Sequence, residues 1–169
     1  MIPVELTRIL PEQASVLASL ARSIYRQHYL HLWESGGANW YMYEQAYAIP
    51  LLQSELSDLQ QPCWFVVYRQ RRIGYLKLSI KEDGLLELER IYLYSDMAGT
   101  GIGTQLIRFT EEQAKQYHCK KIELKAMDSS TDAIRFYQRE GFVISGTYQL
   151  PFPLMKPAYR GMVILSKEI

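Results

Sequence analysis

Two cysteines, three histidines and a net charge of +1 leave this 169-residue chain short of the groups that serve metal, redox or nucleic-acid chemistry. Cys63 and Cys119 stand far apart with no C-x-x-C spacing, so neither a zinc site nor a dithiol pair is written into the sequence. His28 and His31 lie three apart with Glu34 beyond, but no third close ligand joins them, and no metal is expected. A balanced charge removes the electrostatic case for nucleic acid or for an acidic partner. No apolar run approaches the roughly 20 residues needed to span a bilayer. The start, "MIPVELTRILPEQ", lacks the basic stretch and apolar core of a signal peptide. Repeats, low-complexity tracts and linkers are missing too. These absences predict a soluble, cytoplasmic protein with reduced thiols and no membrane partner. With 48% apolar residues, the chain can bury the core of a single domain over 1–169.

What is present alternates between two periods. "PVELTRI" (3–9) reads as a strand. Residues 10–33 read as a helix, with Val16, Leu17, Leu20, Ile24 and Tyr25 on one face and Pro11 as its starter. "ESGGANW" (34–40) interrupts, and helix resumes at 50–60, with an aromatic-rich loop or broken helix between them. Strands follow at 63–69, 72–81 and 85–94, separated by "QR" and "EDG", which read as hairpin turns. Residues 101–118 place Leu106, Ile107, Phe109, Thr110, Ala114 and Tyr117 at helical spacing. Then come strand 120–127, helix 130–142, strand 142–150 and, past a proline-rich connection, strand 159–167. Hairpins first and a strand–helix–strand crossover late predict a mixed α/β sheet.

"SDMAGTGIGTQL" (95–106) sets Gly99, Gly101 and Gly103 directly in front of the long helix-like run at 101–118. Glycine suits close backbone approach or a positive φ, and a helix N-terminus offers unpaired N–H groups to an anion. The bland reading is a tight turn holding nothing. A P-loop is excluded because Thr104 and Gln105 follow where Lys and Ser/Thr belong, and the spacing is not G-x-G-x-x-G.

"ELERIYLYSDMAGTGIGTQL" resembles the acetyl-CoA-binding motif of the GNAT superfamily of N-acetyltransferases, a strand, then Arg/Gln-x-x-Gly-x-Gly/Ala, then a helix. "STDAIRFYQREGF" is similar to the family's Asn-x-x-Ala-x-x-Phe-Tyr-x-x-x-Gly-Phe, and the order of elements fits over nearly the whole chain. "GYLKL" and "ELERIY" further resemble the bacterial spermidine/spermine acetyltransferases. Two departures stand out: Ala98 replaces the Arg/Gln that heads the glycine motif, and Ser130 replaces the Asn before the last helix, where it can still cap.

The resemblance implies a GNAT-like central sheet of seven strands, mixed but mostly antiparallel, with helices on both faces and splayed central strands. It implies acetyl-CoA as cofactor and direct acetyl transfer to a primary amine of a small molecule, polyamine-like, or of a peptide. The diphosphate would meet the main chain of Ala98, Gly99, Thr100, Gly101, Ile102, Gly103 and Thr104, with Ser130 and Tyr137 also at the cofactor. The backbone of Ile91, Tyr92 and Leu93 would line the pantetheine arm, with an N–H near Leu93 at the developing oxyanion. Tyr137 matches the family's general acid; without the motif it reads as a core tyrosine beside Phe136. A coenzyme A-binding module without catalysis, serving as sensor or partner subunit, is the alternative on the same fold.

Strand alternation puts Glu87, Glu89 and Ile91 on one face. Either carboxylate can relay a proton from the acceptor ammonium; either can equally form a salt bridge to Arg90, Lys77 or Arg108. Trp33, Trp40 and Tyr41, with Tyr43 and Tyr47, flank the Gly36-Gly37 hinge and form an aromatic wall for the acceptor or a hydrophobic interface patch. "RQRR" (69–72) reads as a solvated turn or a contact for the 3′-phosphate. "LPFPLMKP" and the aromatic loop leave room for a homodimer.

Overall fold

A computed structural model describes residues 2–169. Seven strands form one sheet: β1 (Glu5–Arg8), β2 (Cys63–Tyr68), β3 (Arg71–Ile80), β4 (Leu85–Leu93), β5 (Lys121–Met127), β6 (Val143–Gln149) and β7 (Gly161–Glu168). Their spatial order is β1-β2-β3-β4-β5-β7-β6. All neighbours run antiparallel except β4 and β5, so the sheet is mixed and mostly antiparallel, as the motif order implies. The helices are α1 (Ala14–His28), α2 (Gly37–Trp40), α3 (Ile49–Ser57), α4 (Ile102–Gln116) and α5 (Thr131–Arg139). No described helix is long and apolar enough to cross a membrane.

The sheet separates two cores. On one face Leu17, Leu20, Ile24 and Tyr25 of α1 and Leu52 of α3 pack over Phe65 and Tyr75. On the other, Ile102, Leu106, Ile107 and Ala114 of α4 cover Leu76, Leu78, Leu86 and Ile122. The helical spacing thus reads out as burial, except that Val16 is 39% exposed. Three local corrections arise from backbone chemistry. The 10–33 helix stops at His28, where Tyr29 leaves helical geometry (φ −130°, ψ 6°) and Leu30–Leu32 make one 3-10 turn. The interrupted region is a broken helix: α2 widens into a π turn over Tyr41–Gln45. The first hairpin turns at Arg69-Gln70, one residue earlier than expected, with both at positive φ as that two-residue turn demands.

The chief departure lies in β4. Lys77 pairs with Arg90 and Leu78 with Leu88, which leaves Glu89 as an extra residue, a β-bulge. Leu86 and Leu88 join the α4-side core, and so do Ile91 and Leu93, so the alternation changes phase between Leu88 and Ile91. Ile91 therefore does not share a side-chain face with Glu87 and Glu89. A bulge carries no sequence mark here, and strict period-two counting misses it.

Candidate functional site

β4 and β5 are paired only from Leu85↔Lys121 to Glu87↔Glu123; beyond that β4 runs on to Leu93 and β5 to Met127 without pairing. The divergence opens a cavity of about 350 Å³ between Glu87–Tyr92 of β4 and Leu124–Met127 of β5. The phase of the β3–β4 ladder decides which groups face it. Tyr94 donates its N–H to Ile73 O at 2.9 Å, and the register runs Gly74↔Leu93, Tyr75↔Tyr92, Leu76↔Ile91. Antiparallel pairs alternate between bonded and non-bonded, so Tyr92 bonds β3, whereas Ile91 and Leu93 turn N–H and C=O toward the gap. Of the three residues expected to line an extended arm, Ile91 and Leu93 offer main chain; Tyr92 offers its ring, 5.7 Å from that of Tyr29.

At the mouth of the gap the chain turns over Ser95–Met97 and enters the glycine loop. Gly99 (φ +72°) and Gly101 (φ +78°) adopt the left-handed region, with Gly101 as N-cap of α4. Among the described residues nothing accepts from the N–H groups of Gly99, Thr100 or Gly101, and those of Ile102, Gly103 and Thr104 begin a helix. Ala98 departs from expectation, since its N–H donates to Ser95 O at 3.3 Å. Side chains in the loop are occupied: Thr100 donates to Met97 O (2.6 Å), Thr104 to Glu140 (2.8 Å), and Ile102 is buried. Gly103 has a packing reason, because a Cβ there would sit 3.0 Å from the Phe136 ring on α5. Arg71, one of the "RQRR" cations, pairs with Asp96 at 2.9 Å and ties the loop to the β2–β3 hairpin.

Ser130 is the N-cap residue of α5 and lines the cavity, but its hydroxyl makes no cap hydrogen bond; its carbonyl accepts from Ile134 instead. In the last turn of α5, Tyr137 faces the cavity, edge-on to Phe136 and Phe142. Burial, with a smaller push from Tyr29, raises its pKa, so the phenol keeps its proton. The two glutamates also line the cavity, and both are ion-paired. Glu87 lies 3.1 Å from Lys125 and 3.5 Å from Lys81. Glu89 lies 3.0 Å from Lys77, which is only 3% exposed and also meets Glu55 at 3.0 Å. Burial pushes the Glu89 carboxyl up, but Lys77 and Arg90 together outweigh it and hold it below the usual range. Of the partners foreseen, Lys77 is used; Arg108 is exposed on α4.

The aromatic wall is only partly where the sequence suggests. Tyr41 lines the cavity. Trp33 is buried behind it, donating to Tyr25 at 2.8 Å, and Trp40 packs edge-on against Trp33 and Phe152, outside the lining. The remaining wall comes from residues passed over: Tyr25 and Tyr29 of α1, Arg90, Lys125, Tyr148 and Phe152. The i, i+4 pair Tyr25–Tyr29 is the one signal that would have pointed there. His28, declined as a metal ligand, places Nε2 3.0 Å from Leu93 O, and His31 packs edge-on against Tyr159.

Comparison with known proteins agrees with this geometry. The family model described as the acetyltransferase (GNAT) family matches residues 24–142. A spermine/spermidine N(1)-acetyltransferase of Bacillus subtilis is 32% identical over 66 residues, 38% of this chain and 43% of that protein. An aminoalkylphosphonate N-acetyltransferase of Salmonella typhimurium is 38% identical over 56 residues, 33% of this chain and 36% of that protein. The chain thus spans less than half the length of these curated relatives. The crystal structure of PaiA N-acetyltransferase from Thermoplasma acidophilum, in complex with coenzyme A, superposes with a TM-score of 0.80 over 99% of this chain and 100% of that one; at 19% identity it speaks for the fold alone. With the family model covering both motifs and the intervening helix, the chain belongs to the acetyltransferase (GNAT) family.

Proposed function

We propose that this chain transfers the acetyl group of acetyl-CoA directly to a primary amine of a small molecule or peptide. The observation that carries the reading is the parting of β4 from β5 beyond Glu87, which leaves the main-chain edge of Ile91 and Leu93 without a strand partner, only the Leu93 carbonyl being taken by His28, beside a cavity lined by Tyr137. Buried backbone groups require partners, and the amide-bearing arm of coenzyme A supplies them. The unpartnered N–H groups of Gly99 to Gly101 and the first turn of α4 suit its diphosphate. Acetyl-CoA, when bound, contributes an acetyl group activated as a thioester.

The rest is work for the protein's own groups. The Leu93 N–H hydrogen-bonds the acetyl carbonyl oxygen as negative charge gathers there. The acceptor reacts only as a neutral amine, so its ammonium proton must leave first. Glu87, on the cavity wall, relays that proton through water; Glu89 is the poorer base because its charge is held by Lys77. Tyr137 protonates the departing thiolate, whose conjugate acid has a pKa of about 8.5. The curated relatives named above both act, by name, on small amines, which supports an acceptor of that size, polyamine-like or otherwise.

Thiol release from acetyl-CoA in the presence of an amine panel tests this. Saturable release that Tyr137→Phe slows at least about ten-fold is expected. Tight coenzyme A binding without turnover of any amine would instead make the chain a binding module.

A further inference from the structure

The ion pairs around the cavity leave one charge over. Each carboxylate on its wall is taken: Glu87 by Lys125 and Lys81, and Glu89 by Lys77. The second acid near Lys77, Glu55, is taken by the same ammonium. Arg90 lines the same cavity and forms no ion pair among the described residues. Its guanidinium lies 5.2 Å from the centre of the Tyr47 ring, and Tyr41 lines the cavity with it. An arginine does not shed its proton to escape burial, and Glu89, whose charge acts on it, lies outside ion-pair distance and is held by Lys77, so this half-buried guanidinium is left short of negative charge.

We infer that the acceptor is a zwitterion, an amine that also carries a carboxylate or phosphonate, and that Arg90 with the Tyr41 hydroxyl receives that oxyanion. This rests on the acetyl-transfer reading and narrows its substrate class. The guanidinium fork matches the paired oxygens of such groups. Burial raises the pKa of Tyr41, and of Tyr29 beside it, so both phenols stay donors in the cavity. The same inventory disfavours a polyamine. A second ammonium would find every wall carboxylate already bonded to a lysine and would face Arg90 and Lys125 instead, an arrangement that selects by repulsion as well as by attraction. A cavity of about 350 Å³ admits an amino acid or aminoalkyl acid of modest size.

The test reads binding separately from turnover. The full chain, saturated with coenzyme A, is titrated calorimetrically with N-acetylated ω-amino carboxylates, α-amino acids and aminoalkylphosphonates, each matched with its uncharged amide or ester, and with N-acetylated polyamines. The expected result is an acid-bearing ligand that binds about 100-fold tighter than its neutral partner, on the order of a lost charge-assisted pair. The carboxylate and phosphonate arms distinguish the two oxyanions. Arg90→Gln should bring the acid down to the level of its neutral partner, with coenzyme A affinity as the folding control; if the variant does not fold, the matched pairs on the unaltered chain decide. Equal affinity within every pair, tightest binding by a polyamine, a preference that survives Arg90→Gln, or no binding at all would overturn the inference. An acid preference without thiol release from any amine would keep it and overturn acetyl transfer.

Discussion

The imidazole Nε2 of His28 lies 3.0 Å from the carbonyl oxygen of Leu93, so the last residue of α1 occupies an acceptor on the open edge of β4. A carbonyl only accepts, hence Nε2 carries the hydrogen in this contact. With that oxygen taken, the N–H of Leu93 is the group left for the coenzyme arm proposed to lie along β4, and His28 ties that edge to α1. His28→Ala should raise KM for acetyl-CoA about three- to ten-fold, on the order of one hydrogen bond, with kcat within about two-fold. His28→Gln, which keeps a donor, should recover part of the loss. Initial rates at varied acetyl-CoA check both, and an unchanged KM in His28→Ala would free this contact of any part in coenzyme binding.

Removing only the hydroxyl of Tyr137 separates chemistry from packing, because phenylalanine keeps the ring contacts with Phe136 and Phe142. Tyr137→Phe should lower kcat by about ten- to a thousand-fold, the usual range for a lost general acid, while the melting temperature stays close to that of the parent. Burial raises this phenol above its ordinary value of 10.0, so it is neutral across the working range. An alkaline limb in kcat with a midpoint below that value, lost in the phenylalanine variant, would show that burial does not hold this phenol neutral; a kcat unchanged in that variant would remove Tyr137 as the proton donor.

The elements that sequence reading recovered are those written in local pattern. The stripe Leu106, Ile107, Thr110, Ala114 is buried along α4, and all seven strands lie within a residue or two of where alternation and turn residues put them. What escaped depends on long-range pairing. The bulge at Glu89 is set by how β4 meets β3, so no count along β4 alone reveals that Ile91 changes face. Arg90 reads as an ordinary strand cation until the fold assigns Lys77, Lys81 and Lys125 to the glutamates around it. Gly103 looks like part of a phosphate cradle, but Phe136, 33 residues later, is what crowds a side chain there. Trp33 and Trp40 suggest an acceptor wall by their chemistry alone, and the fold uses them as backing for Tyr41.

The two glutamates should fail in different ways. Glu89→Gln leaves the nearly inaccessible Lys77 with Glu55 alone, and a loss of about 1–3 kcal/mol in urea unfolding is expected. Because the Glu89 pKa is depressed in the fold, its stabilisation is present above the unfolded value of 4.5 and disappears as pH falls through the folded one. The parent should therefore lose stability below pH 4.5 more steeply than Glu89→Gln. Glu87→Gln loosens two partly exposed pairs and should cost under about 1 kcal/mol. Its effect should fall on kcat, with activity recovering toward alkaline pH as the amine loses its proton unaided. A flat ratio of parent to Glu87→Gln rates across pH would exclude the relay.

Gly101 caps α4 at φ +78°, where a side chain strains the backbone by about 1–2 kcal/mol. Relief comes by turning the peptide, which re-aims the N–H groups proposed to hold the diphosphate. Gly101→Ala should raise KM for acetyl-CoA and the Kd of coenzyme A together, about ten-fold, and leave the affinity for acceptor analogues unchanged. Dephospho-coenzyme A should suffer the same loss, since the strain acts at the diphosphate and not at the 3′-phosphate. A variant that binds both as the parent does would show that the loop's main chain is not the anchor.

Burial raises the pKa of Tyr25, Tyr29, Tyr41, Tyr47, Tyr75, Tyr92 and Tyr137 above the ordinary 10.0. In the unfolded chain these phenols ionise near that value; in the fold they resist. Each therefore stabilises the protein fully below pH 10, and that contribution drains away as pH rises from the unfolded pKa toward the folded one. The slope is about 1.4 kcal/mol per pH unit for each phenol that ionises only on unfolding. Urea midpoints measured from pH 8 to 11 should hold steady and then fall sharply past 10. Tyr47→Phe, which takes one such phenol out of its contact with the Tyr75 hydroxyl at 3.2 Å, should make the fall shallower. A midpoint that stays level to pH 11 would mean that these phenols meet solvent in the folded chain as readily as in the unfolded one, and the dry aromatic wall proposed for the acceptor would lose its basis.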